Sequence, residues 1–466
     1  MIQLSKQTAI SLLVAGTFFM ENLDGTVITT AVPSMAESFG VESVALGIGV
    51  SAYLLALGFF IPLSGWLAER LGARRIFSLA ILIFTLSSWC CGMTDHLWSF
   101  VGLRVLQGFG GAMMVPVGRL VVLRQTPKDQ LITTIATLTW PALVAPVIGP
   151  VIGGFITSHW TWRWIFYLNL PLGLMAFAAA LWLIPSDRKA SDVPFDWRGF
   201  WLTGLALIGL MGSAEWLGHA HDLRLTPMLP GLLGAGLLWV GIRHLRHSAH
   251  PLVSLAALKY PTFRVTVFGG SCYRLAVGAV PFLLPLLFQV GFGMSAVRSG
   301  TLLMAVFAGN LLIKPATTPL LRRYGFRTVM LANGFTNCLG LLLCAFFTVN
   351  TPYWMLVSVL FLGGITRSIQ FTAYNTIAFA DVPPDEMSGA NTLFSTFLQL
   401  FMGLGAAFGA ISVRLLSVVL PATAGHEGLE MRGAFVVLAI TSLIGLYDTF
   451  KLPQQVGEHV TKAAKA

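Results

Sequence analysis

Charge is the scarcest resource in this chain. Only 10% of its 466 residues are Asp, Glu, Lys or Arg, against 56% apolar, and the mean hydropathy is +0.78. A soluble protein of this size needs far more charge to cover its surface, so a soluble globular fold is excluded. Cysteine is sparse as well: Cys90, Cys91, Cys272, Cys338 and Cys344 all lie in apolar segments without histidine at metal-ligand spacing. They read as small packing residues in a reduced state. The chain also lacks a Walker A loop, a zinc-spaced His/Cys set and a nucleophile elbow, since Gly212-Ser213 has the wrong flanks. An enzyme is therefore not expected, no cofactor is implied, and any work must draw on an ion gradient or on the substrate's own gradient.

What the chain has instead is long uncharged runs, at 76–94, 164–186, 275–297 and 328–366. A spanning helix needs about 20 mostly apolar residues, so the last run holds most of two. The expectation is an all-α polytopic membrane protein with fourteen spans, near 8–33, 45–67, 75–94, 97–122, 131–157, 163–185, 198–218, 226–243, 263–291, 298–320, 327–349, 353–379, 388–415 and 431–451. The N-terminus shows no cleavable signal pattern, because its apolar stretch runs on past Glu21 and Asp24 as a first span.

The net charge of +10 is explained by topology rather than by a nucleic-acid partner. Basic residues gather in alternate connections: Arg70/Arg74/Arg75, Arg124/Lys128, Arg188/Lys189/Arg198, Arg243/Arg246/Lys259/Arg264 and Arg322/Arg323/Arg327. The opposite connections carry Arg163, Arg224, Arg298 and Arg432. Positive residues favour the cytoplasmic side, so both termini are expected on the cytoplasmic side of the membrane.

A basic turn occurs twice. Gly65-Trp66-Leu67-Ala68-Glu69-Arg70-Leu71-Gly72-Ala73-Arg74-Arg75 is answered by Pro319-Leu320-Leu321-Arg322-Arg323-Tyr324-Gly325-Phe326-Arg327, with Gly72 aligned on Gly325 and Arg74 on Arg327. Each follows the second span of six. The expected organisation is a six-helix bundle over 1–190, an inserted pair with its flanking loops over 191–262, a second bundle over 263–452 and a cytoplasmic tail at 453–466. Repeated bundles of this kind are a transporter architecture.

Charges inside spans cost at least a few kcal/mol and normally face a partner or a cavity. Glu21 and Asp24 are three apart and share a helix face; neighbouring carboxylates suit a proton-coupling site, and a structural ion pair with a buried Arg is the competing explanation for Asp24. Arg104, Gln107, Gly108 and Gly111 form one stripe, with Arg104 the expected partner of Asp24. Pro146, Gly149, Pro150, Gly153 and Gly154 form a second, proline-bent stripe for close packing. Arg367, Gln370 and Tyr374, with Arg274 beside Tyr273, are expected with Gln107 to line a substrate cavity, or else to tie helices together. Glu215 is a third intramembrane acid. Arg119 and Arg414 lie near helix ends and are expected to snorkel, with Lys314 intermediate.

These residues bring a family into view. The chain resembles the major facilitator superfamily and, within it, the fourteen-helix drug:proton antiporters. The resemblance rests on Leu23-Asp24-Gly25-Thr26 through Ala31-Val32-Pro33, the basic loop Gly65–Arg75, Arg104–Gly111, Gly149-Pro150 with Gly153-Gly154, and Trp162-Arg163-Trp164-Ile165-Phe166 with Asn169-Leu170-Pro171. It implies proton coupling at Asp24 and Arg104, a gate steadied by Glu69, Arg70 and Arg74 around Gly65 and Gly72, and an exporter motif on the fifth span. Two departures stand out: Glu69 where the loop usually has Asp, and Ala73 where it often has Arg. Glu21 is outside the usual signature. The expected function is proton-coupled efflux of an amphipathic, drug-like small molecule by a monomer in the lipid bilayer. Its rivals are an exporter of an anionic metabolite or siderophore-like compound, and a transporter-like sensor or scaffold without flux.

Overall fold

The computed structural model describes residues 6–186, 192–219, 228–419, 428–453, 456–457 and 460. Arg188, Lys189, Arg224 and most of the 453–466 tail lie outside them. Among the described residues every regular element is helical. The first are α1 (Lys6–Phe39), α2 (Ser43–Phe60), α3 (Leu63–Leu71), α4 (Ala73–Gly92), α5 (Leu97–Gln125) and α6 (Leu131–His159), then α7 (Trp164–Tyr167) and α8 (Asn169–Leu183). The pair α9 (Trp197–His219) and α10 (Met228–His247) follows. The last are α11 (Pro261–Pro285), α12 (Ala296–Leu312), α13 (Lys314–Tyr324), α14 (Phe326–Ala345), α15 (Tyr353–Ile377), α16 (Met387–Val419) and α17 (Leu429–Phe450).

Among the described residues, eleven helical segments can cross a bilayer by length and composition, and two bent pairs, α2 with α3 and α12 with α13, bring the number to thirteen. Glu21 and Asp24 make α1 too polar for that set. Its 34 residues nevertheless extend about 50 Å at 1.5 Å per residue, well beyond the roughly 30 Å hydrocarbon core. The expected fourteen spans fit this arrangement.

The repeated turn recurs in three dimensions. The pairs bend by 58° and 52° beside Pro62 and Pro315, where the missing N–H interrupts the helical ladder. Each ends on a glycine in a positive-φ conformation, Gly72 at φ 91° and Gly325 at φ 76°, which a side chain would strain. The next helix, α4 or α14, starts at once.

Within each half, small residues bring helices into backbone contact. In the first, Gly149 and Gly153 of α6 leave no room for a Cβ against Thr26 and Thr30 of α1. In the second, Gly278 of α11 faces Gly405 of α16, and Gly309 of α12 faces α15. The proline-glycine stripe of α6 is narrower than expected: Pro150 is exposed and Gly154 has open space around its Cβ position. Each follows a packed glycine by one residue, which is about 100° around a helix of 3.6 residues per turn. The inserted pair does not stand apart. Met211 of α9 packs against Gly58 of α2 and Gly403 of α16, and Glu215 accepts a hydrogen bond from Ser51 of α2 at 3.0 Å.

Candidate functional site

Asp24 sits in the middle of α1 with its side chain 1% exposed, and the Arg104 side chain is fully buried beside it. Arg104 Nη1 donates to Asp24 Oδ2 at 2.7 Å and to Gln107 Oε1 at 2.6 Å. Asp24 Oδ1 accepts from Gln107 Nε2 at 2.9 Å and from Asn169 Nδ2, also at 2.9 Å. Three helices thus meet on one carboxylate: α1 supplies the acid, α5 the cation and an amide one turn apart, and α8 an amide from its first residue. Asn169 is itself anchored by Ser88 Oγ of α4 at 3.0 Å, and Ser88 donates to the Phe166 carbonyl. The Tyr53 ring of α2 lies 4.4 Å from the Arg104 guanidinium.

The glycine stripe of α5 makes this possible. A Cβ at Gly108 would lie 2.6 Å from the Tyr53 carbonyl, and one at Gly110 would lie 2.8 Å from the Phe84 amide of α4. Removing an ion pair from water is repaid only when its remaining polar atoms are bonded. Asp24 meets that condition with three donors. Arg104 meets it partly, because its Nε and Nη2 are buried without hydrogen-bond partners among the described residues. The site is therefore organised around the charge of the acid, and protonation of Asp24 would leave three donors, the Arg104 cation among them, facing a neutral group.

Glu21 belongs to a different environment. It lines a cavity of about 40 Å³ with Pro116 and Arg119 of α5 and with Ser395, Leu398 and Gln399 of α16, between the two halves. Its Oε2 is buried without a hydrogen-bond partner among the described residues. Arg119 is buried too, donating to Ser395 Oγ at 3.4 Å with its guanidinium 4.9 Å from the Phe394 ring. The snorkelling expected of Arg119 is thus corrected: α16 covers this end of α5. Lys314 is also buried, reaching Thr139 of α6 at 3.0 Å and Thr372 of α15 at 2.8 Å.

The remaining candidates fall into separate groups. Gln107 is part of the Asp24 network, whereas Arg274, Arg367, Gln370 and Tyr374 lie in the second half. Arg274 is buried and donates to the Thr266 carbonyl at 3.0 Å. Tyr374 stacks obliquely on Tyr273 at 5.7 Å. Gln370 accepts from Asn333 of α14 at 2.9 Å, and half-buried Arg367 lines a cavity of about 40 Å³ with Val277 and Asn337.

At the end marked by α3 and α13, polar bonds join the halves. Lys128 Nζ donates to the Phe379 and Val382 carbonyls at 2.6 and 2.7 Å, Asn391 to the Pro116 carbonyl at 2.8 Å, and Arg322 to the Asp129 carbonyl at 3.2 Å. Gly65 lies against Thr392 with no space for a Cβ. Arg70 pairs with exposed Asp192 at 2.8 Å, and Arg74 donates to the Leu181 carbonyl. Glu69 lines a cavity of about 190 Å³ with Trp66, Asp196 and Glu386. Lys259, outside the spans, bonds Glu386, which raises its pKa.

Residues 14–258 and 266–465 match the family model of the Major Facilitator Superfamily. The chain belongs to the major facilitator superfamily. It is 36% identical over 406 residues to a protein of Cronobacter sakazakii named "Putative multidrug resistance protein MdtD", covering 86% of this chain and 84% of that one. A Klebsiella pneumoniae protein of the same name is 34% identical over 457 residues, covering 96% and 95%. Among solved structures, the proton:xylose symporter XylE matches with a TM-score of 0.68 at 12% identity, over 98% of both chains. The human organic anion transporter MFSD10 matches with a TM-score of 0.66 at 14% identity, over 95% of this chain and 98% of that one. These two likenesses establish the fold. The protein is thus a multi-pass membrane protein of a transporter superfamily, with two six-helix bundles and an extra helix pair.

Asn169 is a binding group that the sequence analysis does not single out, although an Asn opening an apolar helix is a visible signal. The same holds for Tyr53 and Ser88, which only the packing of α2 and α4 around α5 brings to the site.

Proposed function

We propose that this chain is a proton-coupled exporter of amphipathic, drug-like small molecules, working as a monomer by alternating access in a bacterial inner membrane with both termini cytoplasmic. The observation that carries the reading is the buried Asp24 carboxylate held by Arg104, Gln107 and Asn169. Proton entry neutralises Asp24, weakens all three bonds and frees α1 from α5 and α8, which biases the equilibrium between access states. Glu21, in its own cavity between the halves, is a second acid for the same cycle. The names of the MdtD relatives support drug-like cargo.

In this orientation the end closed by Lys128, Arg322 and Asn391 is cytoplasmic. Glu69, Arg70 and Arg74 steady that closure around Gly65 and Gly72, and Gly149 and Gly153 seal α6 against α1. The moving bodies are 1–190 and 263–452, bridged by 191–262. Arg274, Arg367, Gln370 and Tyr374 are proposed as cavity groups in the second body. The test is flux of an amphipathic dye in proteoliposomes with an imposed proton gradient. Gradient-dependent accumulation that a protonophore abolishes is expected; flux indifferent to the gradient contradicts coupling, and no flux for any cargo favours a sensor.

A second reading, export of an organic anion, is favoured by Arg274, whose Nε and Nη2 are buried without hydrogen-bond partners among the described residues. The same vesicles loaded with an organic anion decide between the two.

A further inference from the structure

A cavity of about 550 Å³ lies away from Asp24, between the inserted pair and the second half. Its volume falls in the range that holds a sizeable ligand. Leu207 of α9, Leu238 of α10, Val267 of α11 and Phe397 and Leu400 of α16 form its apolar wall. Phe268, Ile444 and Tyr447 also line it, and each is more than half exposed. The cavity is therefore open sideways, on the face a bilayer covers.

Two charged residues line the same cavity, Arg246 in the last turn of α10 and Asp448 in the last turn of α17. Both helices end on the side of the molecule that carries the basic turns. Among the described residues no ion pair joins Arg246 to Asp448, so each presents its charge to whatever enters. Lys451 adds a cation there, its Nζ lying 4.0 Å from the centre of the Tyr447 ring. The cavity is thus apolar along its length, with both signs of charge at one end.

We infer that this cavity is a binding site for a phospholipid of the cytoplasmic leaflet whose headgroup carries both a phosphate and a primary ammonium. The acyl chain lies along the Leu207–Phe397 wall. Arg246, with Lys451 near it, takes the phosphate, as guanidinium groups do in charge-assisted hydrogen bonds, and basic pockets between helices on the cytoplasmic side recognise lipid headgroups. Asp448 takes the ammonium. The placement of the mouth rests on the topology proposed above, whereas binding itself is measured without transport.

The experiment is native mass spectrometry of the purified full chain titrated with phosphatidylethanolamine or phosphatidylglycerol of identical acyl chains. The wild type should retain the ethanolamine lipid preferentially. Arg246→Ala should lower retention of both lipids about fivefold, the effect of one basic residue near a lipid surface. Asp448→Asn should remove only the preference for ethanolamine, and Leu238→Trp should lower retention of both by filling the cavity with the charges intact. Retention of the two lipids alike by the wild type, or occupancies unmoved by all three substitutions, overturns the proposal. So does displacement of the lipid by an amphipathic cationic dye without any headgroup preference, which would give the cavity to the cargo. Loss of transport in otherwise lipid-retaining protein bears on the exporter reading alone.

Discussion

Arg74 and Arg327 make the same bond at corresponding corners of the two halves. Arg74 Nη2 donates to the carbonyl of Leu181, near the end of α8, and Arg327 Nη2 donates to that of Phe450, the last residue of α17. Each arginine lies two residues beyond the positive-φ glycine of its turn, Gly72 or Gly325. The repeat is therefore one of bonding as well as of residues. A cation near a helix C-terminus meets unsatisfied carbonyls and the negative end of the helix dipole.

These two bonds are exposed and each is modest in energy, about 0.3–1 kcal/mol. Arg74→Ala and Arg327→Ala should therefore insert and fold normally yet slow the transport cycle, and Glu69→Gln should do the same. Expression level, monodispersity and initial transport rate, measured together, check this. Full flux in all three variants would reduce the basic turns to topology signals.

Gly65 tests the closure of the two halves. A methyl at this position runs into Thr392 of α16, so Gly65→Ala should open the end marked by α3. Spin labels at Arg75 and Asp385 should show a larger population at long distance in this variant. Thr392→Ala in the same chain should restore part of the short-distance population by removing the obstructing hydroxyl.

Orientation has its own test. The concentration of Lys and Arg on one side predicts that Cys at Asp192 or Pro384 is labelled only from the cytoplasm, and that Cys at Asp222 or Gly425 is labelled from outside. The first two positions are exposed loop residues, and the last two lie outside the described residues. Labelling of Asp192→Cys from the periplasm would overturn the topology.

Much of this was legible in the sequence because the membrane makes charge expensive. Asp24 and Arg104 stand out for that reason, and the apolar runs place the spans. What a sequence gives for a charged residue is its depth along its own helix, not what packs over that helix. Arg119 consequently reads as a snorkelling side chain and Lys314 as an intermediate case, although α16 covers the first and α6 and α15 enclose the second. The same limit hid Asn169, since only tertiary packing turns that face of α8 toward α1. The α6 stripe is narrower than its sequence suggests because Pro150 and Gly154 neighbour the packed glycines in sequence while pointing elsewhere.

Asn169 supplies one of the three donors to Asp24 and also bonds Ser88. Asn169→Ala should leave that buried oxygen short of a partner, a cost of about 1–3 kcal/mol, and should lower both thermal stability and coupled transport. Asn169→Asp should be worse, because it sets a second carboxylate against Asp24. An unaffected Asn169→Ala protein would show that α8 contributes nothing to the site.

In the proposed mechanism Asp24 converts a proton gradient into transport. Asp24→Asn keeps an acceptor oxygen for Arg104 but holds no titratable proton, so no change of charge remains to bias the access states. The decisive measurement is accumulation of substrate in proteoliposomes with an imposed proton gradient, alongside substrate binding to the same variant. Retained binding, with accumulation reduced to what the substrate's own gradient supports, is the predicted result. Gradient-driven accumulation at the wild-type level in Asp24→Asn would contradict the account and pass the coupling role to Glu21.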